Sequence, residues 1–272
     1  MLITLDWHSA YRYDVPVRLL NMELHVVPIS DDSQELIAYT LEVDPPGPLN
    51  VHLRADPFGN SVQRVDLLGP VARVAVSLRA EVRTSTALSH EPRLTPLLRA
   101  LALGATRRAP FSAGVIALAE EMGDASNPIV YAGRLQAAIA DRYEYLVGHS
   151  EVTDTADDLI ASGRGVCQDF AHLMLGALRS RGIPALYVSG FLAPDEGATV
   201  SDAGHAWVRV FADGAWFGFD PANRRAEGEH YIVTALGRDY DDVAPVRGSY
   251  RGMAEESWSA TIQVESMQQT PQ

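Results

Sequence analysis

The chain has 272 residues, a formal net charge of −13 and a hydrophobic content of 47%. A chain of this length buries a large core and has room for one large domain or two small ones. The sequence contains no long apolar run, which argues against a membrane-spanning protein, and its hydrophobic content argues against a disordered one. The acidic charge argues against nucleic acids and membrane surfaces as partners, because binding to either needs clustered positive charge.

The single cysteine and the basic residues narrow the chemistry further. Because Cys167 is the only cysteine, the sequence excludes an internal disulfide and a cysteine-rich zinc site. The first residues form neither a basic leader nor a sustained apolar stretch, so we expect a cytoplasmic protein. All 22 basic residues are arginine, and no lysine side chain is available as an acyl acceptor for self-crosslinking. The sequence predicts no cofactor and no metal ion, and it leaves the oligomeric state open.

Residues 1–88 have the pattern of a β-rich domain. Short segments of alternating apolar and polar residues are separated by Pro, Gly, Asp and Asn turns, which is typical of an antiparallel β-sandwich. The predicted strands are residues 2–8, 17–29, 35–43, 50–54, 61–67 and 71–83. We interpret this domain as a scaffold that packs on the rest of the chain, in preference to an independent ligand-binding module.

From residue 89 the pattern changes, and we predict a second domain over residues 89–272, which makes the protein α+β. Its first part, residues 93–146, has helical spacing of leucines, and Asn127 with Pro128 is a favourable N-cap and first-turn pair. A helix over 167–181 is predicted to pack on an antiparallel sheet within 185–265. Asp154, Asp157 and Asp158 lie in the intervening loop, where we interpret them as a solvated cap because they lack the ligand spacing of a calcium loop.

Cys167 lies at the start of this predicted helix, whose apolar residues Phe170 and Met174 begin one buried stripe. Gly163 and Gly165 allow a tight turn into the helix. At a helix N-terminus the unpaired N–H groups and the macrodipole stabilise a thiolate relative to a thiol. A lone cysteine is more often a small buried hydrophobe, so its partners must decide between the two interpretations.

A hairpin downstream supplies two such partners. The segments GHAWVRVF (204–211) and AWFGFDP (215–221) are predicted strands joined by an Asp213-Gly214 turn. In the register set by that turn, His205 faces position 222, and Asp220 lies on the same face two residues away. Diagonal neighbours of this kind are roughly 7–8 Å apart, a distance that an imidazole and a carboxylate can bridge. The spacing therefore predicts a His–Asp pair.

Together these residues supply a thiolate nucleophile, a base that can also act as an acid, and a carboxylate that orients it. The runs GVCQDFAHLMLGALRSRGIPALYVSGFL, GHAWVRVF and WFGFDPAN resemble the transglutaminase-like superfamily of papain-type cysteine enzymes. The resemblance implies that Cys167, His205 and Asp220 form a catalytic triad. Residues 11–13 and 56–60 resemble the β-rich N-terminal domain of bacterial members, and Ala222 stands where many members carry threonine.

Chemistry at a carbonyl also needs hydrogen-bond donors where negative charge develops. The backbone N–H of Cys167 is one such donor. Position 161 is alanine where papain-like peptidases would supply a glutamine, and Tyr145 is our candidate for the second donor. Trp207 is a candidate wall of the substrate site, although aromatic residues in strands more often belong to the core. His172, five residues after Cys167, is interpreted as structural.

The sequence predicts acyl transfer through a thioester at Cys167, and we favour hydrolysis of a peptide or isopeptide bond in a peptide or protein substrate. Transfer of the acyl group to an amine is the alternative within the same chemistry. A non-catalytic protein-binding module is the alternative from another class, and the presence of all three triad residues argues against it. A metal site built on His205 and Asp220 lacks a second cluster of ligands at metal spacing.

Overall fold

The long β-strands lie toward the two ends of the chain, and most of the helices lie between them. A computed structural model describes residues 1–46, 52–148, 153–195, 199–201 and 204–267. The elements in chain order are β1 (Leu2–Leu24), β2 (Gln34–Asp44), β3 (His52–Ala55), β4 (Ser61–Leu67), β5 (Val71–Thr84), α1 (Pro96–Leu103), α2 (Ala113–Glu121), α3 (Pro128–Arg142), β6 (Glu144–Tyr145), α4 (Ala156–Ser162), β7 (Arg164–Gly165), α5 (Cys167–Ser180), β8 (Ala185–Leu192), β9 (Thr199–Ser201), β10 (Gly204–Ala212), β11 (Ala215–Asp220), β12 (Arg225–Ala226), β13 (Tyr231–Gly237), α6 (Tyr240–Val243), β14 (Val246–Arg251) and β15 (Glu256–Met267).

β1 joins two antiparallel sheets of the first domain, because its 23 residues pair with different neighbours along its length. Its N-terminal half lies between β5 and β15, and its C-terminal half lies between β4 and β14. Alternate side chains of β1, such as those of Ile3, Leu5 and Trp7, are buried, and members of both sheets share one hydrophobic core. The predicted sandwich is thus an antiparallel β-domain in which one long strand belongs to both sheets, where the sequence predicts two separate strands.

The C-terminal strands correct the predicted division of the chain. The sequence predicts a sheet of the second domain over residues 185–265, but β14 and β15 pair with β1 of the first domain. β15 matches β1 continuously from Leu2 opposite Met267 to Tyr13 opposite Glu256. The prediction fails here because alternation identifies the buried face of a strand and not its neighbour. The β-domain therefore contains both the first and the last described strands.

The second domain is an antiparallel sheet covered by helices. Its strands are ordered β12-β11-β10-β8-β13, and α5 packs against them with α2, α3 and α4 around it. The side chains from Asp169 to Arg179 of α5 are buried, which is the pattern of a central helix. The predicted helix on an antiparallel sheet is confirmed, and the predicted helical part appears as α1, α2 and α3.

α4 lies in the segment that the sequence analysis interprets as a loop. Thr155 is its N-cap, and the backbone N–H of Thr155 donates to the carboxylate of Asp158 at 2.8 Å. In return, the hydroxyl of Thr155 accepts the backbone N–H of Asp158. This reciprocal pair is a capping box, for which the Thr-x-x-Asp spacing is the sequence signal. Asp158 is therefore a helix cap.

Two buried amide side chains of the β-domain hold it against β13. Gln34 donates to the carbonyl of Val233 at 2.8 Å and accepts its N–H at 2.8 Å. Asn60 makes the same pair of bonds with Leu236, at 2.6 and 2.8 Å. Each amide thus satisfies backbone groups that a neighbouring strand would otherwise satisfy. These contacts fix the orientation of the β-domain relative to the sheet that carries the site.

Candidate active site

Cys167 is the first residue of α5, where backbone N–H groups have no partner within the helix, and its side chain is half-buried. Val166 precedes it with an extended backbone, and the N–H of Val166 donates to the carboxylate of Asp169 at 2.8 Å. Gly163 ends α4 with a φ of 73°, in the left-handed region that glycine adopts without strain. The local sequence therefore turns the chain so that the thiol lies at a helix N-terminus, as predicted.

The hairpin of β10 and β11 brings His205 to Asp220. Asp213 and Gly214 have φ values of 50° and 84°, which fit the two-residue turn that matches strand twist. The register of the two strands is the predicted one. His205 Nε2 lies 2.7 Å from Asp220 Oδ2, so the His–Asp pair that the spacing predicts is present.

Asp220 is completely buried, and five hydrogen bonds hold its carboxylate. Its Oδ1 accepts the backbone N–H groups of Ala222 and Asn223, both at 3.0 Å. Its Oδ2 accepts from the ring of His205, the side-chain amide of Asn223 and the hydroxyl of Tyr231, each at 2.7 Å. Burial alone would raise the pKa of Asp220, but the hydrogen bond and charge of His205 and the other side-chain donors lower it. The carboxylate is therefore ionised in the interior.

His205 lies between this carboxylate and the thiol. Burial alone would lower the pKa of His205, but its hydrogen bonds to Asp220 and to the side chain of Cys167 raise it to about 9. Because an ordinary histidine has a pKa of about 6.5, His205 carries a proton at neutral pH. The structure thus brings Cys167, His205 and Asp220 together in the order that a cysteine nucleophile, its acid–base and an orienting carboxylate require.

Comparison with known proteins identifies the family of this site. Residues 116–221 match the model of the transglutaminase-like superfamily, and residues 3–83 match that of the bacterial transglutaminase-like N-terminal region. An uncharacterised protein of Mycobacterium leprae is 31% identical over an alignment of 272 residues. The alignment covers 94% of this chain and 95% of the relative. The chain belongs to the transglutaminase-like superfamily.

One further relative is similar in sequence over part of the chain, and one solved structure is similar in fold over the whole chain. An uncharacterised protein of Mycobacterium tuberculosis is 37% identical over 124 residues, 42% of this chain and 40% of the relative. The crystal structure of a "Putative Cysteine Protease" from Cytophaga hutchinsonii has a TM-score of 0.77 and 21% identity, and the match covers 100% of this chain and 93% of that one. The second similarity extends over both domains and concerns the fold alone.

Within the described residues, no helix is long and apolar enough to cross a membrane.

Tyr145 lies beside the thiol in this transglutaminase-like site. β6, which ends at Tyr145, pairs in parallel with β7, and the Tyr145 ring packs 6.1 Å from that of Phe170. Burial and then the charge and hydrogen bond of the Cys167 side chain raise the pKa of Tyr145 to about 12. The hydroxyl also accepts a hydrogen bond from the Cys167 backbone. Tyr145 is therefore protonated at neutral pH and lies next to the predicted oxyanion donor.

Trp207 does not line the substrate site, contrary to our interpretation of the sequence. Its side chain is fully buried in the core of the second domain. The indole lies behind His205, nearly parallel to the imidazole with 6.0 Å between ring centroids, and its N–H donates to Glu227 at 3.0 Å. The prediction is wrong because its strand turns this side chain inward, so Trp207 supports the position of His205 and does not reach substrate.

Asn223 and Tyr231 complete the site, although the sequence analysis does not single them out. Both donate to Asp220, and Tyr231 in turn accepts a hydrogen bond from Arg225 at 2.8 Å. Asn223 lies three residues after Asp220 in the run WFGFDPAN. An asparagine this close in sequence could have been predicted to bond the carboxylate. Tyr231 begins another strand, β13, and no local pattern connects it with the carboxylate.

Among the described residues, no cluster of three or more His, Cys, Asp or Glu side chains is arranged to bind a metal ion.

His172 lies on α5 itself, five residues after Cys167, and its side chain is fully buried, which fits a structural role. Its ring stacks on Tyr187 with 5.1 Å between centroids, and its Nε2 accepts the backbone N–H of Tyr240 at 3.3 Å. Burial and then the nearby arginines Arg108 and Arg179 lower the pKa of His172 to about 3. The folded protein therefore keeps this imidazole neutral over most of the acidic range.

This neutral histidine should make the protein sensitive to acid. Between pH 6.5 and about 3, His172 binds a proton in the unfolded chain but not in the folded one, so the free energy of unfolding falls as pH falls. The free energy of unfolding should fall less between pH 7 and pH 4.5 in His172→Phe than in the unmodified protein. The difference should reach up to about 1.4 kcal/mol per pH unit below 6.5. Urea unfolding of both proteins at both pH values measures the difference between the two losses. The hydrogen bond to Tyr240 is absent from the variant at both pH values, so its effect cancels. Equal losses in the two proteins would contradict a neutral buried His172.

Proposed function

We propose that this protein is a cysteine-dependent acyl-transfer enzyme that hydrolyses an amide bond of a peptide or protein through a thioester at Cys167. One observation carries the proposal: a buried Asp220 that accepts five hydrogen bonds binds His205, and the Cys167 side chain lies close enough to the same imidazole to raise its pKa. A histidine with only a structural role has no need of an ionised carboxylate and a helix-terminal thiol together. The same arrangement argues against a module that only binds protein.

The reaction begins with a protonated His205 beside the sulfur of Cys167. The Cys167 thiolate attacks the amide carbonyl carbon, forms the C–S bond and moves the carbonyl electron pair onto oxygen. When the carbonyl re-forms, the C–N bond breaks and the His205 imidazolium gives its proton to the departing amine. Neutral His205 then removes a proton from water, whose oxygen attacks the thioester carbon. The C–S bond breaks, the carboxylic acid leaves, and the thiolate and imidazolium are restored.

Two donors support stabilisation of the oxyanion in both steps. The backbone N–H of Cys167 is at the helix N-terminus, and the Tyr145 hydroxyl interacts with that same backbone group in the free protein. Tyrosine is protonated at neutral pH, and the pKa of Tyr145 is raised further, so its hydroxyl can donate to a developing negative charge. We propose that the substrate oxygen replaces the thiol as the acceptor of this hydroxyl. A single cysteine is compatible with our proposal of a cytoplasmic location, because a thiol persists in a reducing compartment.

The pair should make Cys167 reactive toward iodoacetamide at pH 7, because thiolate and not thiol is the nucleophile. His205→Ala should slow labelling by at least about tenfold, since the protonated imidazole that stabilises the thiolate is removed. The single cysteine makes intact mass an unambiguous readout. His90→Ala is a matched control, because His90 pairs with Asp32 on the exposed surface and should leave the rate unchanged. Slow labelling of the unmodified protein would contradict the proposed function.

The acceptor can be determined on the acyl-enzyme itself. We expect p-nitrophenyl acetate to acetylate Cys167, giving a thioester that intact mass detects. For a hydrolase, loss of the acetyl group in buffer should be unaffected by added cadaverine. Acceleration by cadaverine, with acetyl-cadaverine as the product, would instead identify transfer to an amine. A protein that labels with iodoacetamide but never accumulates or turns over an acetyl group would not be an acyl-transfer enzyme.

A further inference from the structure

The β-domain forms one wall of a cavity that opens on the catalytic pair. The cavity has a volume of about 230 Å³ and is bounded on one side by Cys167 and His205. On the other side it is bounded by Trp7 of β1 and Ile262 of β15, which lie opposite each other in the first sheet. The two domains therefore meet at the site, and the first domain contributes surface directly beside the thiol.

The described lining of this cavity contains no carboxylate and no arginine. Two of its polar side chains make contacts within the protein: His25 hydrogen-bonds the Ala244 carbonyl at 3.2 Å, and Thr234 donates to the Ser189 carbonyl at 3.1 Å. Burial lowers the pKa of His25, so that it is neutral. The protonated His205 in this lining is already paired with the carboxylate of Asp220, so a charged group that enters would lose its hydration for little gain, whereas an apolar group would be stabilised by burial.

The size of the cavity restricts what can fill it. Clefts that hold whole small-molecule ligands have volumes of about 300–1,000 Å³. A volume of about 230 Å³ lies below that range and is comparable to one large apolar side chain with part of its backbone. The cavity therefore fits one residue of a polypeptide.

The chain keeps the mouth of the cavity open with a glycine. A Cβ placed on Gly204 would lie 3.5 Å from Ile262 Cδ1, and the backbone of Gly204 does not require glycine. A larger side chain at position 204 would fill the space in front of Ile262. Beyond Ile262 the same face of β15 leads outward to Trp258, which is opposite Tyr11 and 65% exposed. An apolar surface thus continues from the cavity to the solvent.

We propose that Trp7 and Ile262 of the β-domain form the specificity pocket that receives an apolar side chain adjacent to the scissile amide of the peptide substrate. This inference rests on the proposed acyl transfer at Cys167. It gives the β-domain a role in substrate selection, where the sequence analysis gives it only that of a scaffold. Trp258 and Tyr11 extend the pocket along the substrate chain.

The pocket can be tested with thiol reagents that differ only in the group they carry into the cavity. The probes are iodoacetamide, N-benzyl-iodoacetamide and iodoacetylglycine, and each rate of Cys167 labelling is divided by the rate with glutathione. We expect the benzyl reagent to label at least about tenfold faster than iodoacetamide, because the ring is buried on binding. Iodoacetylglycine should be slower than iodoacetamide, because its carboxylate loses hydration in the cavity and His205 is already paired with Asp220.

Ile262→Trp should fill the pocket and reduce the benzyl-to-iodoacetamide ratio to about one. Ile262→Ala replaces the side chain with a smaller one, so it does not overfill the core. It should enlarge the pocket and raise the labelling rate with N-(1-naphthylmethyl)iodoacetamide relative to the rate with iodoacetamide. Thr261→Trp is the matched control, because Thr261 is exposed on the opposite face of β15 and should leave every ratio as in the unmodified protein.

The outcomes separate the two proposals. Rapid labelling by iodoacetamide without a benzyl preference would overturn the pocket and leave the acyl-transfer proposal intact. A benzyl preference that persists in Ile262→Trp would overturn the assignment of the wall to the β-domain. Slow labelling by all three reagents in the unmodified protein would overturn the acyl-transfer proposal on which the pocket rests.

Discussion

Asp220→Asn should lower the rate of Cys167 acetylation by p-nitrophenyl acetate by about three to four orders of magnitude. The asparagine carbonyl can still accept the backbone N–H groups of Ala222 and Asn223. Its amide NH₂ then faces His205, so the imidazole must accept there and present its N–H to the thiol. His205 would also lose the hydrogen bond that holds its pKa near 9, and burial would favour the neutral ring.

Tyr231→Phe provides the graded control for this result. It removes one of five hydrogen bonds to Asp220 and leaves the bond between His205 and Asp220 in place. We expect a loss of between about 10-fold and 100-fold, well below that of Asp220→Asn, since a hydrogen bond to an ionised group contributes about 1.5–3 kcal/mol. Circular dichroism should show that both variants fold. An Asp220→Asn protein that folds and acetylates at the normal rate would exclude Asp220 from the orientation of His205.

Gly190→Ala should destabilise the protein by more than about 4 kcal/mol. Gly190 pairs with both His205 and Val233 at the centre of the second sheet. A Cβ at this position would lie 1.9 Å from the Ile232 carbonyl oxygen and 2.7 Å from the ring of Trp207. Because the closest atom belongs to the backbone, the clash can be relieved only by moving β13 away from β8.

Gly133→Ala is the corresponding control, since a Cβ on Gly133 of α3 would have no atom within 4 Å. It should stabilise the protein by up to about 1 kcal/mol, the difference in helix propensity between the two residues. Chemical unfolding of the two variants beside the unmodified protein measures both effects. A Gly190→Ala protein within 1 kcal/mol of the unmodified one would mean that β8 and β13 are not in the register described above.

Features set by neighbouring residues were predictable from the sequence. The Asp213-Gly214 turn fixes the register of its hairpin, and that register alone brings His205 to Asp220. The apolar stripe and the two glycines similarly place Cys167 at the start of α5. In each case a few consecutive residues carry both the hydrophobic pattern and the turn geometry, so that little is left for distant contacts to decide.

Features set by distant residues were not predictable in this way. β15 has the alternation of a strand but no mark of its pairing with β1, more than 240 residues away. Tyr231 reaches Asp220 only because β13 lies next to β8, and Trp207 turns inward because its strand is central. The apolar cavity depends on the meeting of two domains. Periodicity gives the face of an element, whereas these contacts depend on which elements lie side by side.

The pairing of β1 with β15 also constrains the order in which the protein can be made. The ribosome adds Val264 259 residues after its partner Leu5. α5 and the hairpin of the second domain are complete before then, so a nascent chain can carry its thiol without the wall that contains Ile262. A chain broken before β15 would retain the nucleophile and lack the Ile262 side of the proposed pocket. If the proposed pocket selects the substrate, selectivity therefore arises later in synthesis than the nucleophile does.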